Sequence, residues 1–241
     1  MLMRALTAAG LTAGLALSAT AGPIEMVPTI EMEPLNLAAL EAEDVARDNE
    51  GLAPRYAVPH DVWYSPSGSG IWSKTPAGQL LWNLRITSPQ AVSINLGFEI
   101  FTLPDSAEMV IGTARGDWNL RPFTSQDNKP HGELWTPPVP DNDLLISITV
   151  DPQDRLDLEA SLVLTKINVG YRGFYESPGV ARSGSCNYDV ACAESEGWEN
   201  EIPCVAVISS GGSTFCTGFM VNNIRNDRDP LFMTAQHCGI N

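Results

Sequence analysis

Between residues 56 and 172 apolar and polar side chains alternate in short runs, the period of a strand with one buried and one wet face. Trp82, Leu84 and Ile86 alternate with Asn83, Arg85 and Thr87, and Ile94, Leu96, Phe98 and Ile100 alternate with Ser93, Asn95, Gly97 and Glu99. Further apolar runs at 109–111, 144–150 and 158–164 predict strands. They are punctuated by the turn formers Pro104-Asp105, Pro140-Asp141-Asn142 and Asp151-Pro152. Several short strands with this punctuation predict an antiparallel β-sandwich of about 115 residues. The segment carries no cysteine, so apolar packing alone must hold it.

The cysteines divide the chain. All five, Cys186, Cys192, Cys204, Cys216 and Cys238, lie in the last quarter, which reads as part of a disulfide-stapled domain with an odd thiol left over. At the other end Arg4 precedes an apolar run over 5–17 and the small residues Ser18-Ala19-Thr20-Ala21. This is the pattern of a cleavable export signal over 1–21, with cutting before Gly22. Its apolar core is about 13 residues long against the roughly 20 that a span requires, so no permanent membrane anchor is expected. A formal net charge of −15 argues against nucleic acid as a partner, because binding to phosphates needs clustered Lys and Arg.

Residues 22–34 hold three prolines and no sustained period, and read as an exposed lead-in. Residues 36–47 predict a helix capped by Asn36 and ended by Gly51 and Pro54, with Glu41, Glu43 and Asp44 on a solvated face. His60 and His131 have no ligand-like companions, so a metal site there is not expected. Trp82 reads as core. Trp63, Trp72 and Trp135 lie beside turn-like sequence and read as edge packing, with a carbohydrate platform as the rival.

The stretch that carries chemistry starts at Cys216. Two apolar runs, 216–223 and 231–239, flank a polar turn-rich connection and predict a β-hairpin with His237 just after its second strand. A Cys216–Cys238 bridge at its open end would close a loop of about 22 residues, worth about 3 kcal/mol in the chain-entropy model. Ser209-Ser210-Gly211-Gly212-Ser213 reads as a strand-to-strand turn, not as a source of a nucleophile. Cys238 as a nucleophile is the weaker alternative, since an exported thiol at bridging spacing is oxidised.

Thr234-Ala235-Gln236-His237-Cys238 resembles the T-A-x-H-C signature around the general-base histidine of the chymotrypsin fold, and Cys216-Thr217-Gly218 resembles the C-x-G segment that bridges to it. Ser183-Gly184-Ser185-Cys186-Asn187-Tyr188-Asp189-Val190-Ala191-Cys192 is similar to the mature amino terminus of bacterial lysyl endopeptidases. Residues 127–137 and 170–174 resemble the propeptide of such precursors. The resemblance implies an all-β chain in five parts: signal peptide 1–21, lead-in with a short helix 22–55, β-sandwich propeptide 56–172, processing linker 173–182, and the first strands of a chymotrypsin-like double β-barrel from 183 to 241. Cleavage between Arg182 and Ser183 is expected in the small-residue linker. The resemblance further implies that Cys186 and Cys192 pair far downstream and that Cys204 has no assigned partner.

In this reading His237 takes the proton of a serine and is itself oriented by a carboxylate. The family's aspartate and its Gly-x-Ser-Gly-type segment are absent from these 241 residues, so the chain alone is expected to be inactive. Protein or peptide substrates cut after Lys or Arg, an intramolecular propeptide–protease contact and no cofactor are what the resemblance implies. A different reading is a non-catalytic secreted β-sandwich that binds, inhibits or assists folding.

Overall fold

Strands with one apolar face must remove it from water against another layer, and in the computed structural model two sheets do this for each other. The structure describes residues 24–173 and 193–238, other than 226 and 228. The export signal, the linker beyond Gly173, Arg182, Ser183, Cys186 and Cys192 lie outside the described residues.

In chain order the elements are β1 (Thr29–Glu31), α1 (Leu37–Asn49), β2 (Ala57–Tyr64), β3 (Ile71–Lys74), β4 (Leu80–Thr87), β5 (Ser93–Phe101), β6 (Glu108–Thr113), β7 (Leu134–Trp135), β8 (Asp143–Val150), α2 (Arg155–Ser161) and β9 (Leu162–Gly170). Then follow β10 (Val205–Ser210), β11 (Ser213–Val221) and β12 (Leu231–Thr234). One sheet runs β1-β4-β8-β6, with β3 beside β1 on the same edge of β4, and the facing sheet runs β2-β9-β5-β7. All pairings are antiparallel except β1 with β4. Between the sheets Leu84, Ile86, Ile111, Ile146 and Ile148 meet Ile94, Leu96, Ile167 and Val169, all essentially inaccessible to water. Each such side chain contributes about 1.5–3 kcal/mol, which is how the sandwich forms without a disulfide.

Four expectations change. Residues described within 22–34 are not an exposed lead-in: Val27 and Met32 are buried, as is Leu35 just beyond. β1 satisfies the edge of β4, through Met32 N donating to Thr87 O at 2.8 Å and Arg85 N to Pro28 O at 3.2 Å. The run 158–164 is helix up to Ser161 and strand only from Leu162. Pro152 starts a short 3-10 turn, Arg155 and Glu159 pair one helical turn apart, and Leu158 points into the core. The alternation in β5 breaks at bulges around Phe98, so Ile100 turns outward, 40% exposed, and Phe101 takes its place inside. Finally, α1 keeps its Asn36 cap, whose Oδ1 accepts from Ala39 N at 3.2 Å, but Asp44 is buried rather than solvated.

The remaining three strands form a separate antiparallel sheet, β10-β11-β12. Gly211 and Gly212 both adopt positive φ, 54° and 76°, the requirement of a two-residue turn whose twist matches its strands. The chain is thus all-β in its sheets, and no helix among the described residues is long and apolar enough to cross a membrane.

Candidate catalytic hairpin

β11 and β12 pair from Gly218–Thr234 to Val221–Leu231. Gly218 is needed there, because a Cβ would run into the Phe232 ring and the Met233 carbonyl. After Thr234 the chain tightens into a single 3-10 turn, Gln236–Cys238, closed by Cys238 N donating to Ala235 O at 2.9 Å. Thr234 Oγ1 fastens this turn to the neighbouring strand by donating to Thr217 O at 2.7 Å. Cys216 and Cys238 are bridged, with Cα atoms 5.9 Å apart. The backbone of His237 is therefore held on both sides, by a ladder before it and a covalent staple after it, while its imidazole is exposed.

Ligand atoms of Cys216, His237 and Cys238 lie within 4.8 Å of one another, but the two sulfurs are bonded together and offer no thiolate to a metal. A cavity of about 420 Å³ beside the turn is lined by Val205, Thr217, Gly218, Phe219 and Met233, among others. Among the described residues no serine or carboxylate is hydrogen-bonded to the His237 ring. Ser209, Ser210 and Ser213 flank the β10–β11 turn, which accounts for them. Cys204 is unbridged, its Sγ 3.4 Å from Asn200 O. His60 and His131 stay apart from this hairpin, on β2 and ahead of β7, and the Nδ1 of His131 accepts from Glu133 N at 3.1 Å.

Residues 180–241 match the family model described as lysyl endopeptidase, C-terminal domain. The chain is also 26% identical over 232 residues to a lysyl endopeptidase of Pseudomonas aeruginosa, an alignment covering 85% of this chain and 48% of that protein. The chain is a relative of the lysyl endopeptidases. Coverage of 85% cannot come from residues 180–241 alone, so the relationship to that lysyl endopeptidase extends into the sandwich. The chain spans about half the length of the curated relative it matches.

Sequence reasoning missed the polar cluster that joins α1 to the end of β9. Asp44 accepts from Arg55 Nε at 3.2 Å and from the Tyr171 hydroxyl at 2.6 Å. Arg172 Nη1 lies 3.6 Å from Asp44, and its Nε donates to Arg55 O at 2.6 Å. Burial, then the hydrogen bond to Asp44, pushes the Tyr171 phenol above its usual range. The available signal was spacing: Asp44 falls one helical turn after Leu40, which packs against the core, and so lies on the same side of α1.

Proposed function

We propose that this chain is the amino-terminal part of an exported trypsin-like serine endopeptidase precursor. In this reading the sandwich serves as propeptide and the segment from Ser183 as the start of the catalytic domain. The observation that carries the reading is His237 on a short turn tied by Cys216–Cys238, inside the segment that matches the lysyl endopeptidase model. An imidazole acts as general base only when its position is fixed relative to the serine it deprotonates. The ladder and staple hold the backbone that carries the imidazole; in this reading the serine, the orienting carboxylate and the oxyanion donors come from further residues. Lys as the preferred residue before the cut is in keeping with the relative's name, and Lys or Arg with the trypsin-like resemblance. Protein or peptide substrates, and export by the leader over 1–21, belong to the same reading.

The test is hydrolysis of Lys- and Arg-ester substrates by the secreted product of the whole gene, beside a His237→Ala variant. Loss of about 10⁴-fold or more in turnover is expected in the variant. Equal turnover by both proteins would refute the assignment of His237. The second reading, a folding-assistance or inhibitory module, is favoured by main-chain contacts between the sandwich and the β10–β11 turn. It is compatible with the first, because a propeptide can do both.

A further inference from the structure

The β10–β11 turn is bonded to the sandwich mainly through backbone atoms, with a side-chain hydrogen bond between Tyr56 and Ser209 beside them. Gly212 O accepts from Tyr56 N at 2.7 Å and from Ala57 N at 3.1 Å, and Thr214 N donates to Pro54 O at 2.8 Å. Arg55 and Ser213 face each other as an antiparallel bridge, and Thr214 Oγ1 adds a bond to Pro54 O at 3.3 Å. On its other side the same strip is already in use, with Tyr171 N donating to Tyr56 O at 3.1 Å and Arg172 Nε to Arg55 O at 2.6 Å. Residues 54–57 thus lead into β2, the outer strand of its sheet, and the turn adds one more rung outside them. An open strand edge takes up any chain that can present its backbone, so side-chain identity matters little and backbone access matters a great deal.

Backbone access explains Gly212. Both turn glycines have positive φ, but a Cβ at Gly211 would meet nothing within 4 Å, whereas one at Gly212 would collide with the Ala57 carbonyl. Gly211 is needed for the turn alone; Gly212 is needed for the turn and for close approach to the sandwich. Next to this contact lies a crevice of about 190 Å³, with Asn95, Trp135 and Asn168 on the sandwich side and Ser209 and Ser210 on the other. Asn168 Oδ1 is buried there with no protein partner. A polar seam with room for several waters resembles a separable interface more than a fused core.

We propose that residues 209–214 are the docking element by which the peptidase segment is held on the sandwich, through edge-strand addition beside Pro54–Ala57. The proposal rests on the precursor reading above and names the contact by which the propeptide engages its partner. The contact fixes the register of the β10–β11 hairpin before the rest of the barrel packs, and it involves no covalent bond, so cutting after Arg182 leaves it intact.

Amide hydrogen exchange on the uncut chain tests this, comparing the wild type with Gly212→Asn and Gly211→Asn. Asparagine tolerates left-handed backbone, so both variants keep the turn and only the former blocks the approach. Gly212→Asn should speed exchange at Tyr56, Ala57 and Thr214 by about tenfold or more, with Ile86, Leu96 and Phe219 unchanged, while Gly211→Asn should match the wild type. Should Gly212→Asn disturb Phe219 as well, Ala57→Pro serves instead: it deletes one donor to Gly212 O from the sandwich side and should expose Thr214. Wild-type protection at Tyr56 and Thr214 that survives both Gly212→Asn and Ala57→Pro overturns the proposal, as does rapid exchange at Tyr56, Ala57 and Thr214 in the wild type. No step uses activity, so the outcome is independent of the His237 assay that decides the precursor reading.

Discussion

Tyr171 donates its hydroxyl hydrogen to Asp44 across 2.6 Å, joining the end of the last sandwich strand to a helix that precedes the first strand of the same sheet. Arg55 completes the arrangement, 3.1 Å from the same carboxylate and 3.0 Å from Glu43. A helix that alternation alone would leave as an appendage is thereby locked to the domain.

Replacing Asp44 by Ala should remove the buried carboxylate from beside Arg55, Tyr171 and Arg172, leaving Arg55 with the exposed Glu43. The expected loss is about 2–4 kcal/mol, read as a lower urea midpoint at neutral pH. Glu43→Ala, which removes a partner that is 60% exposed, should cost less than about 1 kcal/mol.

The same cluster contributes to the loss of stability at alkaline pH. Tyr171 is raised above its ordinary 10.0 by burial and then by its bond to Asp44, so above that pH the folded chain holds a proton that the unfolded chain has lost. Stability from this group is complete below 10.0 and falls as pH rises through the folded value. Urea unfolding between about pH 9 and 11 should show a steeper decline for the wild type than for Tyr171→Phe.

Leu156 and Leu158 separate helix from strand. In a strand, residues two apart share a face; in α2 they do not, and Leu156 is 74% exposed whereas Leu158 is fully buried. Leu158→Ala should cost about 2–5 kcal/mol and Leu156→Ala less than about 0.5 kcal/mol. Equal costs would place this segment in a strand.

Alkylation without reduction, followed by peptide mapping, should label Cys204 and recover Cys216 and Cys238 as one linked pair. The bridge spans a sequence separation of 22, so its reduction should destabilise the β11–β12 hairpin by about 3 kcal/mol. Hydrogen exchange at Phe219 and Met233 should report the loss while Leu96 stays protected.

The sheets were legible because period-two alternation marks the side chains that enter the core: Trp82, Leu84, Ile86, Ile94 and Leu96 all point inward, although Asn83 and Asn95, read as the wet face, are buried as well. Legibility failed where a local event shifts the phase. A bulge near Phe98 exchanges Ile100 for Phe101, and a proline-started turn converts 155–161 into helix; apolar content alone reports neither. At the candidate site, Cys216, His237 and Cys238 could be read from the two apolar runs and the residues around His237, and the structure brings Cys216, on β11, to the turn that holds His237 and Cys238. Asp44 with Tyr171, and Gly212 with Ala57, are pairs distant in sequence, and no local pattern announces them.

The strand order also sets a schedule for a chain synthesised from its amino end. Residues 29–31 emerge first, but their partners at 85–87 follow only after roughly 3–11 seconds, at 5–20 residues per second. The facing sheet waits longer, since β9 lies between β2 and β5 and is the last sandwich strand to leave the ribosome. Until residue 170 is out, β2 and β5 have no common neighbour. Closure is therefore a single late event, and the edge beside Pro54–Ala57 becomes available to a newly made hairpin only as the segment that contains that hairpin begins to appear.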